Sequence, residues 1–202
     1  KNKGGGLSSQ TRGVSAGGVQ PATSDVMDYV TMATVGNATD FGDLTVARMG
    51  LTGAASTTRG LFAGGKVSDK SDVIDYITIA STGDATDFGN LAAETAGLGG
   101  TGSGTRGVFG GGYTPTQINV IQYVTIDSTG NTSDFGDLTV ARQSKAAASE
   151  RIRGVFGGGR EPDKSNVIDY ITIASTGNAA DFGDLINETG RTTALSDSHG
   201  GI

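Results

Sequence analysis

Residues 73–79 read Val-Ile-Asp-Tyr-Ile-Thr-Ile, a β-branched and aromatic run that predicts an extended strand. Its apolar groups fall on both sides, with Val73, Ile77 and Ile79 on one and Ile74 and Tyr76 on the other. A strand with one face on water alternates apolar and polar residues, so this pattern predicts a small sheet covered on both faces. The same segment returns at 26–32, 120–126 and 167–173, bracketed each time by shorter elements in one order. In the last copy a small-residue segment at 145–150 precedes Arg153-Gly154-Val155-Phe156-Gly157-Gly158-Gly159, and a polar stretch leads to the long strand at 166–174. Ser175-Thr176-Gly177-Asn178 reads as a turn and Asp181-Phe182-Gly183-Asp184-Leu185 as a short closing strand. Three or four short strands per unit are expected, and no helix. Residues 144–151 hold good helix formers, but their counterparts include Thr101-Gly102-Ser103-Gly104, and equivalent positions fold alike.

The spacing is strict. Tyr29, Tyr76, Tyr123 and Tyr170 are 47 residues apart, and so are Arg12, Arg59, Arg106 and Arg153. The Gly pairs beginning at Gly17, Gly64, Gly111 and Gly158 keep the same step, as do the Asp-Phe-Gly triplets beginning at Asp40, Asp87, Asp134 and Asp181. The chain therefore reads as a single repeat domain over 1–202, with units at 1–47, 48–94, 95–141 and 142–188 and a partial unit at 189–202. Repeats of this kind bury their apolar faces against one another. Four Gly pairs at one phase imply a close approach of backbones or a positive φ, since glycine in a strand costs about 0.5–1 kcal/mol relative to alanine.

An arginine, a strand ending in a Gly pair, a strand ending near a tyrosine, and an aromatic-plus-Leu strand follow in the order of a kelch repeat. In the third unit these are Val108-Phe109-Gly110-Gly111-Gly112, Asn119-Val120-Ile121-Gln122-Tyr123 and Phe135-Gly136-Asp137-Leu138. The whole chain resembles kelch-type β-propellers, except that the family's late tryptophan is here Phe41, Phe88, Phe135 and Phe182. The resemblance implies an all-β propeller of four 47-residue blades, with those phenylalanines buried between blades. The wording of the repeats is also similar to kelch-type arrays in structural and tail-associated proteins of marine tailed phages. Because 189–202 repeats the phase of 142–155, three arrangements stay open: part of a longer ring, a four-blade module closed on itself, or a module completed by another copy.

Composition removes most catalytic classes. The chain has no cysteine and a single histidine, His199, so thiolate chemistry, Ser-His-Asp triads and multi-histidine metal sites are not expected. Gly60-Leu61-Phe62-Ala63-Gly64-Gly65-Lys66 nearly spells a phosphate loop, but Val67 stands where Ser or Thr is required and a strand follows. The pairs Asp40/Asp43, Asp134/Asp137 and Asp181/Asp184 hold too few oxygens for calcium and read as turn caps. No enzyme activity, cofactor or metal is expected. The net charge of −6 with scattered basic residues argues against nucleic acid, and no apolar run is long enough for membrane insertion.

Residues 72–89 and 166–183 differ at only three of 18 positions, whereas the segments after the Gly pairs diverge. Lys66, Asp69, Lys70, Tyr113, Gln117, Arg160, Glu161 and Lys164 sit in those segments and are the candidate ligand or partner residues. The expected function is a non-enzymatic, virion-associated or extracellular propeller for structure, attachment or host-surface recognition. Its partners would be virion proteins or a host-surface glycan or protein, with homo-oligomers as one route to completing the ring. The alternative is a soluble multivalent lectin, whose repeated weak sites would act together. Arg12, Arg59, Arg106 and Arg153 form a second candidate set. Buried guanidinium groups need acceptors, and Asp28, Asp75 and Asp169 stand at a matching phase. Gln122 replaces the carboxylate in the third unit, which leaves Arg106 with the weakest expected pairing; an anion or sialic-acid site is the functional alternative.

Overall fold

In the computed structural model, which describes residues 2–143, 145–190 and 192–194, each unit forms one antiparallel sheet. Blade 1 comprises β1 (Gly5–Ser8), β2 (Arg12–Ala16), β3 (Val26–Thr31) and β4 (Thr39–Asp43). Blade 2 comprises β5 (Thr52–Ala55), β6 (Arg59–Ala63), β7 (Val73–Thr78) and β8 (Thr86–Asn90). Blade 3 comprises β9 (Gly99–Gly102), β10 (Arg106–Tyr113), β11 (Gln117–Thr125) and β12 (Ser133–Asp137). Blade 4 comprises β13 (Ala146–Ser149), β14 (Arg153–Gly157), β16 (Asp163–Thr172) and β17 (Ala180–Thr189), with the short β15 (Arg160–Glu161) folded back on β16. There is no helix among the described residues. The fold is a β-propeller: β1, β5, β9 and β13 lie side by side around the axis, and each blade steps outward from its inner strand.

The repeat reaches the level of individual residue pairs. Gly5↔Ala16, Thr52↔Ala63, Gly99↔Gly110 and Ala146↔Gly157 open the four inner pairings in identical register. Every blade also carries an irregularity at the same place between its third and fourth strands, before Asp28, Asp75, Gln122 and Asp169. The extra residue increases local twist and bends the outer strand.

The two-faced apolar pattern is explained by blade stacking. Phe41 and Leu44 of blade 1 pack with Ile77, Ile79 and Ala85 of blade 2. Phe88 and Leu91 pack with Val124 and Ile126, and Phe135 and Leu138 with Ile171 and Ile173. Each phenylalanine also meets a tyrosine of its own blade edge-on, with ring centroids 5.8–6.0 Å apart (Tyr29–Phe41 and Tyr76–Phe88, for example). Three of the four expected core phenylalanines are thus buried. Phe182 corrects the fourth expectation: it is 53% exposed, and among the described residues no further blade packs over it.

The Gly pairs answer to both expected causes. Gly64 and Gly65 have φ of 64° and 103°, and a Cβ on Gly64 would run into the Thr95 carbonyl oxygen and Leu98. Those atoms belong to the segment that crosses into the next blade, which packs directly on the end of the second strand.

One substitution within the repeat has a clear energetic consequence. The phase occupied by Leu51 and Leu98 carries Lys145 in blade 4, and it is buried as they are. Its ammonium donates to the Arg142 carbonyl oxygen at 3.2 Å. Burial, then the neighbouring Arg142 charge, pushes the Lys145 pKa well below the ordinary lysine range, against a smaller pull from Asp169. Between that lowered value and the ordinary one the unfolded chain holds a proton that the folded chain releases, so stability rises with pH across the window. Lys145→Leu is expected to raise stability by about 1–3 kcal/mol at neutral pH and to flatten that pH dependence. Urea unfolding of both proteins at pH 7 and pH 10 checks it.

Candidate binding surface

The variable segments connect the second and third strands of each blade, and their backbones are fastened at both ends. The amides of Ser24, Ser71 and Ser165 donate to the carbonyls of Gly18, Gly65 and Gly159 at 2.8–2.9 Å. The same serine hydroxyls accept from the amides two residues on, at Val26, Val73 and Val167. On the other side, single β-bridges tie Lys66 to Met49, Tyr113 to Ala96 and Arg160 to Gln143, all in the crossover entering the blade. A constant frame therefore carries changing side chains, as loop recognition requires.

Lys66 and Asp69 are exposed at the tip of the blade 2 loop, and Lys70 is half-buried. The Lys70 ammonium lies 5.0 Å from the centre of the Tyr113 ring, which belongs to blade 3. Gln117 pairs across from Tyr113 in the hairpin joining β10 to β11. Lys70, Tyr113 and Gln117 thus form one continuous patch across two blades. Arg160, Glu161 and Lys164 form a second, exposed patch on blade 4, where Arg160 pairs with Lys164 across β15 and β16.

The repeated arginines lie at the opposite ends of the second strands, on the other face of the propeller. Their expected carboxylate partners are a correction. Arg12, Arg59 and Arg106 each donate from Nη1 to a backbone carbonyl of the next blade, that of Ile79, Ile126 and Ile173, at 2.8–2.9 Å. Each guanidinium also stacks on the tyrosine of its own blade, 4.5–4.6 Å from the ring centre. A partly exposed guanidinium placed on a ring needs only one carbonyl, so no carboxylate is recruited and Arg106 is paired as well as the others. Arg153 stacks on Tyr170 in the same way, 4.7 Å from the ring centre.

Asp75 and Asp169 instead serve a pair of arginines that the strict period hid. Arg48 is held to blade 1 through its backbone, its amide on the Ser24 carbonyl and its carbonyl on the Gly18 amide. Its side chain crosses to blade 2, donating to the carbonyls of Val73 and Phe62 and to Asp75 Oδ2 at 2.7 Å, with both partners fully buried. Arg142 joins blade 3 to blade 4 through Val167, Phe156 and Asp169 in the same way. Burial lowers the pKa of both arginines and raises that of Asp75, against the pull of Arg48. Thr95 takes the arginine's phase between blades 2 and 3, and there Gln122 accepts from the Ala92 amide at 2.9 Å and the Thr132 hydroxyl at 2.6 Å.

The aspartates that follow the Asp-Phe-Gly triplets end the outer strands, and the turn of the next blade reaches back to two of them: Asp43 and Asp137 donate their amides to Asp84 Oδ1 and Asn178 Oδ1, both at 3.0 Å. Among the described residues no three His, Cys, Asp or Glu side chains gather where a metal could bind. His199 lies outside the described residues. No protein-family model matches the chain, and no curated protein matches it.

Proposed function

We propose that this propeller is a non-enzymatic attachment module that binds through the row of loops between the second and third strands of its blades. The observation that carries the reading is the contact of Lys70 with Tyr113, which joins the variable loops of two blades into one surface over a near-constant scaffold. The resemblance to kelch-type arrays of tailed phages supports placing that surface on a virion or another extracellular structure, facing a host glycan or protein. The glycan-binding alternative rests on Tyr113, the one aromatic side chain in those loops, and Lys70 already covers a face of its ring.

Binding of the purified chain to whole host-surface preparations and to a glycan array tests the reading. Lys70→Ala with Tyr113→Ala should weaken saturable binding at least about tenfold, since hot-spot truncations cost 1.4 kcal/mol or more, roughly a factor of ten. Unfolding midpoints should move little, because surface changes stay within about 0.5 kcal/mol. Equal binding by the variant would place recognition elsewhere, and saturable binding to one sugar would favour the lectin.

A further inference from the structure

The loops after the Gly pairs share one frame, and that frame sets particular side chains against each other. In every blade the first residue after the Gly pair lies directly across from the residue four positions on. The four rungs are Val19↔Thr23, Lys66↔Lys70, Tyr113↔Gln117 and Arg160↔Lys164. Blade 1 is uncharged at this rung, and blade 3 holds a phenol and an amide. Blades 2 and 4 each place two cations face to face. Like charges directly opposite one another weaken an antiparallel pair, so these two rungs cost stability where the other two do not.

Nothing within the fold offsets that cost. The chain carries 15 basic against 21 acidic residues, so an excess of cations does not account for the pairing. Among the described residues none of the four cations has a carboxylate within ion-pairing distance. In blade 4 the nearby carboxylates are turned away. Glu161 faces Asp163 on the adjacent rung, and adjacent rungs of a ribbon point to opposite sides. Arg160 and Lys164 therefore share one side, and the two carboxylates share the other. The charged rungs also belong to one row. Lys70 of blade 2 lies 5.0 Å from the centre of the Tyr113 ring, so the Lys66–Lys70 rung runs into the Tyr113–Gln117 rung, with Arg160 and Lys164 on the blade beyond. A local arrangement that opposes stability and repeats along one surface is expected where a ligand supplies the missing charge.

We propose that this row binds an acidic polysaccharide, with its anionic groups on the two cation rungs and its hydroxyls on the Tyr113 hydroxyl and Gln117 amide between them. The inference rests on the loop face being the attachment surface, and it names what attaches there. A polysaccharide whose carboxylates or sulfates are spaced a sugar or more apart suits charged rungs separated by a neutral one. A dense polyphosphate would also bring charge onto the Tyr113–Gln117 rung and near Asp69 and Glu161, and a chain of net charge −6 would repel it. Recognition lies in the charges along the row, not in one sugar seated on the Tyr113 ring, which separates this partner from that of the lectin reading.

Alginate, dextran sulfate and neutral dextran, offered to the full chain at low and raised salt, are the probes. Saturable binding to alginate or dextran sulfate that weakens as salt rises is expected, with none to neutral dextran. The tighter of the two shows whether carboxylate or sulfate is the recognised group. Lys66→Gln with Lys164→Gln, both at exposed positions, should weaken that binding at least about tenfold. The same variant should keep or raise the Tm, since each substitution removes a repulsion. Ser81→Glu with Ser128→Glu lowers the net charge by the same amount on exposed turns at the opposite face, and should leave binding unchanged. Absence of saturable binding to both acidic polymers overturns the proposal. Equal losses in the two double variants also overturn it, because the attraction would then be one of bulk charge. Tighter binding to single-stranded DNA or to phosphatidylglycerol vesicles would assign the row to a partner of another class. Binding to host-surface preparations without binding to either acidic polymer would sink this inference alone and leave the attachment surface standing.

Discussion

Phe135→Ala is expected to lower stability by about 3–5 kcal/mol, and Phe182→Ala by less than about 1 kcal/mol, although the two residues occupy one phase of one repeat. Phe135 lies between Leu138 of its own blade and Ile171 and Ile173 of the next, so truncation leaves a cavity that two rigid sheets cannot close. Phe182 loses its edge-on contact with Tyr170 and little else, since half of its surface already faces water. Urea unfolding gives both values, with an unchanged m-value as the sign that the folded state keeps its compactness. Equal losses at the two positions would mean that something covers Phe182 in solution. The comparison therefore separates blade-to-blade packing, read at Phe135, from the contact within a single blade, read at Phe182.

The four blades and their order were legible because two independent signals agree. The strict period names the unit, and the apolar groups on both faces of 73–79 require neighbours on both sides of it. The loop row was legible as divergence against constancy, but the contact between Lys70 and Tyr113 was not, because the two come from different units and depend on the angle between blades. The arginines show how a period can mislead. Arg12, Arg59, Arg106 and Arg153 drew attention by recurring four times, and a charge that recurs invites a charged partner. The arginines that bridge the blades recur only twice, at Arg48 and Arg142, with Thr95 between them. Their signal lies in paired variation: arginine goes with aspartate 27 residues later, and threonine goes with Gln122.

Paired variation of this kind predicts non-additive energetics at the junction of blades 3 and 4. Arg142→Thr should cost about 3–5 kcal/mol, because it leaves Asp169 buried with only the Thr139 hydroxyl as a donor. Asp169→Gln should cost a similar amount by leaving the Arg142 guanidinium buried against two backbone carbonyls and no carboxylate. The double variant copies into this junction the uncharged residues found at the same two phases between blades 2 and 3, where Thr95 donates to the Ala93 carbonyl and Gln122 accepts from the Ala92 amide and the Thr132 hydroxyl; the new glutamine oxygen can take the Thr139 hydroxyl that Asp169 accepts now. It should lose only about 1–2 kcal/mol, since replacing both members of a buried pair removes the desolvation penalty along with the attraction. The carbonyls of Val167 and Phe156 lose their donors and account for the remaining cost. The cycle should thus show a coupling energy above about 2 kcal/mol, measured as urea midpoints at constant m-value. Additive losses would mean that the two residues stabilise the junction separately, and that the alternation of arginine-with-aspartate and threonine-with-glutamine at these two phases carries no energetic link.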